Sequence, residues 1–261
     1  SPYFNANPKK YISALVSEDC WQATPGKVVD LVRNLGIAAG GTVMEDCRVL
    51  EACREGKYTS VLVQTHDKKY VEYRTEHFVN ALGSGAGKLC DSMGIDAGLY
   101  PVRHQAFITR RLPMLGKHGT NLDMLIDRQD YKGFSAVYGQ QIAYTGQIIG
   151  CASPKLDAMR IDKNLKVNTK AFLEIVSEMF SEWIPDLAGV GIQAVWAGYY
   201  TEPRYIVDPE LGLFVGMRGH GFMLSQYIAR MYVDKLLGRP VPEYFEKLKL
   251  NGPGLSEKAF K

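Results

Sequence analysis

At 261 residues, 46% of them hydrophobic, the chain can bury one large core or two smaller ones. Its 31 basic residues nearly balance 28 acidic ones, which argues against the concentrated basic face of a nucleic-acid-binding protein. No apolar run approaches the ~20 residues that cross a bilayer, the histidines lack metal-ligand spacing, and five cysteines with no CxxC pair point to reduced thiols and a cytoplasmic setting.

The chain opens on Ser1-Pro2-Tyr3-Phe4 with no signal-peptide pattern, and reads as a processed product or a fragment. After Pro25-Gly26-Lys27, the spacing of Val28, Val29, Leu31, Val32 and Leu35 predicts a helix closed by Gly40-Gly41. TVMEDCRVLEACREG predicts a strand ending at a turn on Glu55-Gly56. YTSVLVQT alternates as a second strand, and His66-Asp67-Lys68 turns it back. TEHFVNAL predicts a third strand, which runs into NALGSGAGKL, residues 80 to 89.

That glycine-rich stretch is not a P-loop. Leu82 stands where the first glycine belongs and Leu89 where a Ser or Thr would meet magnesium. It is not a GxGxxG fingerprint either, because Lys88 takes the third glycine position, where helix and strand must pack closely. Gly189-Val190-Gly191-Ile192-Gln193-Ala194 fits GxGxxA, but it follows a helix and leads into a strand, the reverse of a dinucleotide site.

The middle of the chain reads as an antiparallel sheet with strands at 103–111, 121–127, 134–139 and 147–152, and turns at 117–119, 132–133 and 144–146. A long amphipathic helix is expected over 169–183, with Leu173, Val176, Met179 and Phe180 on one face and Pro185 as its stop. GIQAVWAGYY is a strand, and Leu213 to Gly216 a short buried one. Gly219-His220-Gly221 turns into an apolar helix over 222–237, closed by Gly238 and Pro240, and the charged tail beyond it is expected on the surface.

Both glycine turns follow an apolar strand, and the second precedes a helix. Such a junction offers free N–H groups and a favourable dipole to a flat or anionic ligand. Tight strand–helix packing needs glycine equally, so the residues alone leave both readings open.

Three segments, in order, carry a resemblance: PGKVVDLVRNLGIAAGGTVMEDCRV, HFVNALGSGAGKL, and VWAGYYTEPR followed by GLFVGMRGHGFMLSQYIARMYVDKLLG. Across roughly residues 22 to 245 the chain resembles FAD-dependent oxidoreductases of the D-amino-acid oxidase, glycine oxidase and sarcosine dehydrogenase superfamily. The resemblance implies an α/β fold of α+β character. Residues 1–95 would be the second half of an FAD-binding domain, 96–198 a largely antiparallel substrate-binding domain, and 199–261 the C-terminal part of the Rossmann-like FAD-binding domain and tail. It implies FAD along Ala81, Gly83 and Ser84, with Val49 near the adenine and Gly219, His220, Gly221, Phe222 and Met223 at the isoalloxazine. The family's N-terminal βαβ unit with its GxGxxG is absent from this sequence, so FAD affinity of the chain alone is expected to be poor.

The resemblance further implies oxidation of a C–N bond by hydride transfer to flavin. An amino-acid substrate needs a carboxylate clamp, and Arg204 after the WAGYY strand is the candidate, a surface ion pair being the plainer alternative. Tyr138, Tyr199 and Tyr200 are candidates for the pocket wall, with core packing as the alternative. Arg103 and His104 either face the ring or lie on a solvent side. The expected partners are a small amine or amino acid, a quinone or dye-like acceptor and a chain carrying the missing nucleotide-binding unit. Dehydrogenase is preferred over oxidase; the alternatives are a non-catalytic or partner-dependent subunit of a split flavoprotein and a ligand-binding lobe without flavin.

Overall fold

The computed structural model describes residues 13, 15–17, 21–115, 122–127, 134–142, 145–154, 165, 169–185 and 188–254. The turns expected at 117–119 and 132–133, and the last residues of the tail, 255–261, lie outside them. The chain divides into two compact units: Pro101–Tyr200 with Ser1–Val16, and Ser17–Tyr100 with Thr201–Lys261.

In the second unit, helix α1 (Pro25–Ala38) starts with proline in its first turn, where the missing N–H costs nothing. None of its residues is buried. Its apolar side chains stand in solvent, Val29 at 61% and Leu35 at 60% exposure. Strands β1 (Arg48–Glu55), β2 (Tyr58–Gln64) and β3 (Tyr70–Thr75) form an antiparallel meander. Helix α2 (Ala86–Ser92) packs on it, so that Leu89 shares a core with Ala52, Val61 and Val63.

The strand expected over 75–82 is not formed. β3 ends at Thr75, whose hydroxyl bonds the His77 carbonyl, and only Asn80 makes a strand-like bridge. α2 is a helix where a glycine turn alone was expected. Ala86, Leu89 and Cys90, at helical spacing, are its buried face.

The first unit is a five-stranded sheet, order β5-β6-β7-β4-β8, built from β4 (Tyr100–Thr109), β5 (Leu125–Asp127), β6 (Phe134–Ile142), β7 (Gln147–Pro154) and β8 (Ile192–Glu202). The β5–β6, β6–β7 and β7–β4 pairs are antiparallel. Helix α3 (Thr169–Trp183) covers one face, where Phe172, Val176, Phe180 and Trp183 pack with Phe107, Val137 and Ile148. Gly139 and Gly150 are paired in register beneath these rings. A Cβ on Gly139 would lie 2.4 Å from the Phe180 ring, and one on Gly150 2.6 Å from Phe107. Gly139 lets the Phe180 ring of α3 settle onto the strands, and Gly150 makes room for Phe107.

The chain then returns to the second unit. β9 (Ile206–Asp208), which the sequence reading missed, pairs antiparallel with β10 (Leu213–Val215). Helix α4 (Gly221–Leu236) buries Ile228, Met231 and Tyr232 against Val207, Phe245 and Leu248. The tail therefore departs from the expected surface position. Its 3-10 turn Glu243–Leu248 inserts Phe245 and Leu248, 0% and 1% exposed, because this apolar pair three residues apart falls on one side of the turn.

Candidate active site

The two glycine turns meet through the backbone of one buried residue. Asn80 is fully buried, and its N–H donates to the Gly212 carbonyl at 2.7 Å while its own carbonyl accepts from Phe214 N–H at 3.0 Å. This is a parallel bridge to Leu213. Two chains running the same way release their following turns at one edge, so residues 81–85 and 216–220 leave at the same carboxyl end. In open α/β sheets that edge is where ligands bind. The Asn80 amide also shapes the first turn. Its Nδ2 donates to the Ala86 carbonyl at 3.0 Å, and its Oδ1 accepts from Leu82 N–H at 3.3 Å. Sequence reasoning missed Asn80, although Asn entering a glycine turn is an Asx-turn signal.

Of the expected cofactor residues, Ala81 and Gly83 are exposed and Ser84 half-buried on the first turn, with Gly83 at φ +56°. Val49 lies at a β-bulge in β1, against the meander core. Gly219 and His220 are exposed between β10 and α4, and Gly221 opens the helix. Phe222 and Met223, 48% and 66% exposed, put apolar surface beside the free N–H groups of its first turn. His220 Nδ1 is 2.6 Å from the Tyr205 hydroxyl, which fixes its ring. A flat ring with an electron-rich edge fits this combination of apolar side chains, glycines and unshared donors.

Among the pocket candidates, the structure separates the tyrosines. Neighbouring strand residues point to opposite faces, so Tyr199 and Tyr200 part company. The His104 ring stacks on Tyr200 at a centroid distance of 3.7 Å and 25° between planes. The Tyr138 hydroxyl is hydrogen-bonded to both the Tyr200 hydroxyl and the Cys151 thiol. Tyr138 and Cys151 are paired in register, and residues one step along each strand, Val137 and Ala152, form the α3 side. The His104–Tyr200–Tyr138–Cys151 group thus occupies the face opposite α3, with Ile126 and Trp196 on exposed positions of β5 and β8. Trp196 is 41% exposed.

Burial pushes the Tyr138 phenol far above its ordinary value, and the neighbouring Cys151 and Tyr200 add to this. Burial likewise raises the Cys151 thiol. Tyr138 is therefore a neutral donor throughout the working pH range and not a base. A phenol held neutral in the fold contributes stability below its unfolded value of 10.0, and that stability is lost as pH rises beyond it. Chemical denaturation at rising pH should thus show stability falling above about pH 10, by ~1.4 kcal/mol per unit for each such phenol. Tyr138→Phe should flatten the slope. An unchanged slope would mean that the hydroxyl is not held as described.

Arg204, the expected carboxylate clamp, donates from Nη1 to the Gly252 carbonyl at 3.0 Å and from Nη2 to the Leu250 carbonyl. Its guanidinium ties the C-terminal segment to the stretch between β8 and β9.

Among curated protein sequences, none matches this chain. Solved structures do. L-Proline dehydrogenase from P. horikoshii is similar at 24% identity, over 87% of this chain and 59% of its own, with a TM-score of 0.67. Glycine oxidase from Geobacillus kaustophilus is 18% identical over 82% of this chain and 54% of its own, TM-score 0.62. Iminodiacetate oxidase from Chelativorans sp. BNC1 is 15% identical over 87% and 58%, TM-score 0.64. The chain thus spans less than two thirds of the length of these proteins and shares their fold. The model of the FAD dependent oxidoreductase family matches residues 2–235, nine-tenths of the chain, and the protein belongs to that family.

Proposed function

We propose that this chain is the substrate-binding unit and the flavin-contacting C-terminal part of an enzyme that oxidises the C–N bond of an amino acid or secondary amine. The observation that carries the reading is the Asn80–Leu213 bridge, which brings both glycine turns to one strand edge in a chain of an FAD-dependent family. FAD, when bound, accepts the hydride. Ala81, Gly83 and Ser84 line it on the first turn, with Val49 towards the adenine. Gly219 and Gly221 admit the ring to the backbone, and the first N–H groups of α4 favour the negative charge that reduction puts on its edge. His220 is held by Tyr205 and offers its backbone.

Tyr138 and Tyr200 orient the substrate. Both hydroxyls sit on one face, one bonded to the other, and the stacked His104 fixes the angle of the Tyr200 ring. A neutral phenol pair with one O–H spent on the other still donates one hydrogen bond to a carboxylate without taking a proton. The three solved proteins named above act, by their names, on proline, glycine and iminodiacetate, each an amine beside a carboxylate. The likeness to a dehydrogenase favours an acceptor other than oxygen, of quinone or dye type, and a cytoplasmic setting is consistent with the free thiols Cys47, Cys53, Cys90 and Cys151. Among the described residues no helix is long and apolar enough to cross a membrane.

One observation favours a partner-dependent form: the solvent-facing apolar side chains of α1. An isolated 14-residue helix is marginal in water, and an uncovered apolar stripe asks for a cover. The test is anaerobic bleaching of added FAD by L-proline, sarcosine, glycine or iminodiacetate, with and without polypeptides that co-purify. Bleaching that is reversed by a dye faster than by oxygen is expected. No bleaching by any of the four, in a preparation that retains flavin, would sink the reading.

A further inference from the structure

The reading above leaves one charged pair unused. Glu202 ends β8, and Arg218 stands between β10 and α4, one residue before Gly219. Arg218 Nε lies 2.5 Å from Glu202 Oε2, with the side chains 24% and 15% exposed. The Arg218 backbone is left-handed, φ +48°. Residues with a Cβ seldom adopt that region, and glycine adopts it freely. The turn therefore holds a strained cation where glycine would be the easier residue, and partial burial of an ion pair is itself a weak source of stability. The guanidinium stands at the mouth of α4. The other polar side chains placed at this turn, His220 and Tyr205, bond to each other.

We propose that the Arg218–Glu202 pair sets the reduction potential of the flavin, with the guanidinium favouring the reduced ring and Glu202 moderating it. This rests on the reading that the isoalloxazine lies at Gly219–Met223. Hydride arrival adds negative charge at the ring edge, and a fixed cation beside the helix N-terminus stabilises that charge without reorganising. Removing the cation while leaving Glu202 makes reduction harder. Removing the Glu202 charge makes it easier.

The experiment is a midpoint-potential titration of the FAD-loaded protein, with any companion chain it needs, against dyes of known potential. Arg218→Gly suits the left-handed backbone, so it should fold at least as well as the parent. It should lower the two-electron reduction constant about tenfold, roughly 30 mV. Glu202→Gln should raise it by a similar factor, and the double variant should return near the parent value. Arg218→Lys keeps the charge and should stay closest to the parent among the Arg218 variants. Shifts of the two single variants in the same direction, or none, overturn the proposal. Met223→Ala separates that failure from failure of the reading. If it alters the visible flavin spectrum while the potentials stand still, only the charge proposal falls. If neither responds, the ring is elsewhere and both fall.

Discussion

Gly216→Ala is expected to destabilise the protein by about 3 kcal/mol or more and to remove FAD retention with it. Gly216 has φ +73°, and a Cβ there would lie 1.9 Å from the Arg204 carbonyl oxygen and 2.9 Å from its carbon. Two costs add. Alanine in the left-handed region costs about 1 kcal/mol. The clash is with main chain, which cannot turn aside as a side chain would. That main chain is itself fixed, since the Arg204 guanidinium is bonded to the Gly252 and Leu250 carbonyls. The only relief is to shift the 216–220 turn, which carries Gly219 and the entry to α4. Urea midpoints and FAD fluorescence quenching measure the two effects. An unchanged midpoint would show that the turn is laxer than described.

Arg204→Met should cost about 2–4 kcal/mol, from two charge-assisted hydrogen bonds and the carbonyls they leave behind. The loss should be local at first. The segment around Phe245 and Leu248 would loosen before the rest, visible as faster amide exchange over 243–252. The apparent substrate affinity of whatever folded enzyme remains should not change. That separates a tie from a carboxylate clamp. A large rise in KM at unchanged stability would restore the clamp and contradict the hydrogen bonds seen here.

Much of this was legible in the residues. Periods of two and of three to four placed β2, β4, β6, β7, β8, α3 and α4. The WAGYY and RGHGF stretches led to the family through their pattern, not through any single chemical group. What was lost lay in contacts remote in sequence. β9 is three residues long and buried throughout, so it shows no alternation. Phe245 and Leu248 lie among charges that hide their burial. Nothing near Arg204 announces that its partners stand 46 and 48 positions away. The 75–82 stretch failed because β-forming residues are no use without a neighbour, and only Asn80 finds one.

β4 and β8 are neighbours in the five-stranded sheet, and each straddles a boundary between the two units. The chain goes in by one and comes out by the other, a strand's width apart, about 4.8 Å. Residues 101–200 are thus a cassette with paired ends. A new sheet carrying other side chains in place of Tyr138 and Tyr200 needs only two joints, one before β4 and one at the end of β8, next to Glu202 and its partner Arg218.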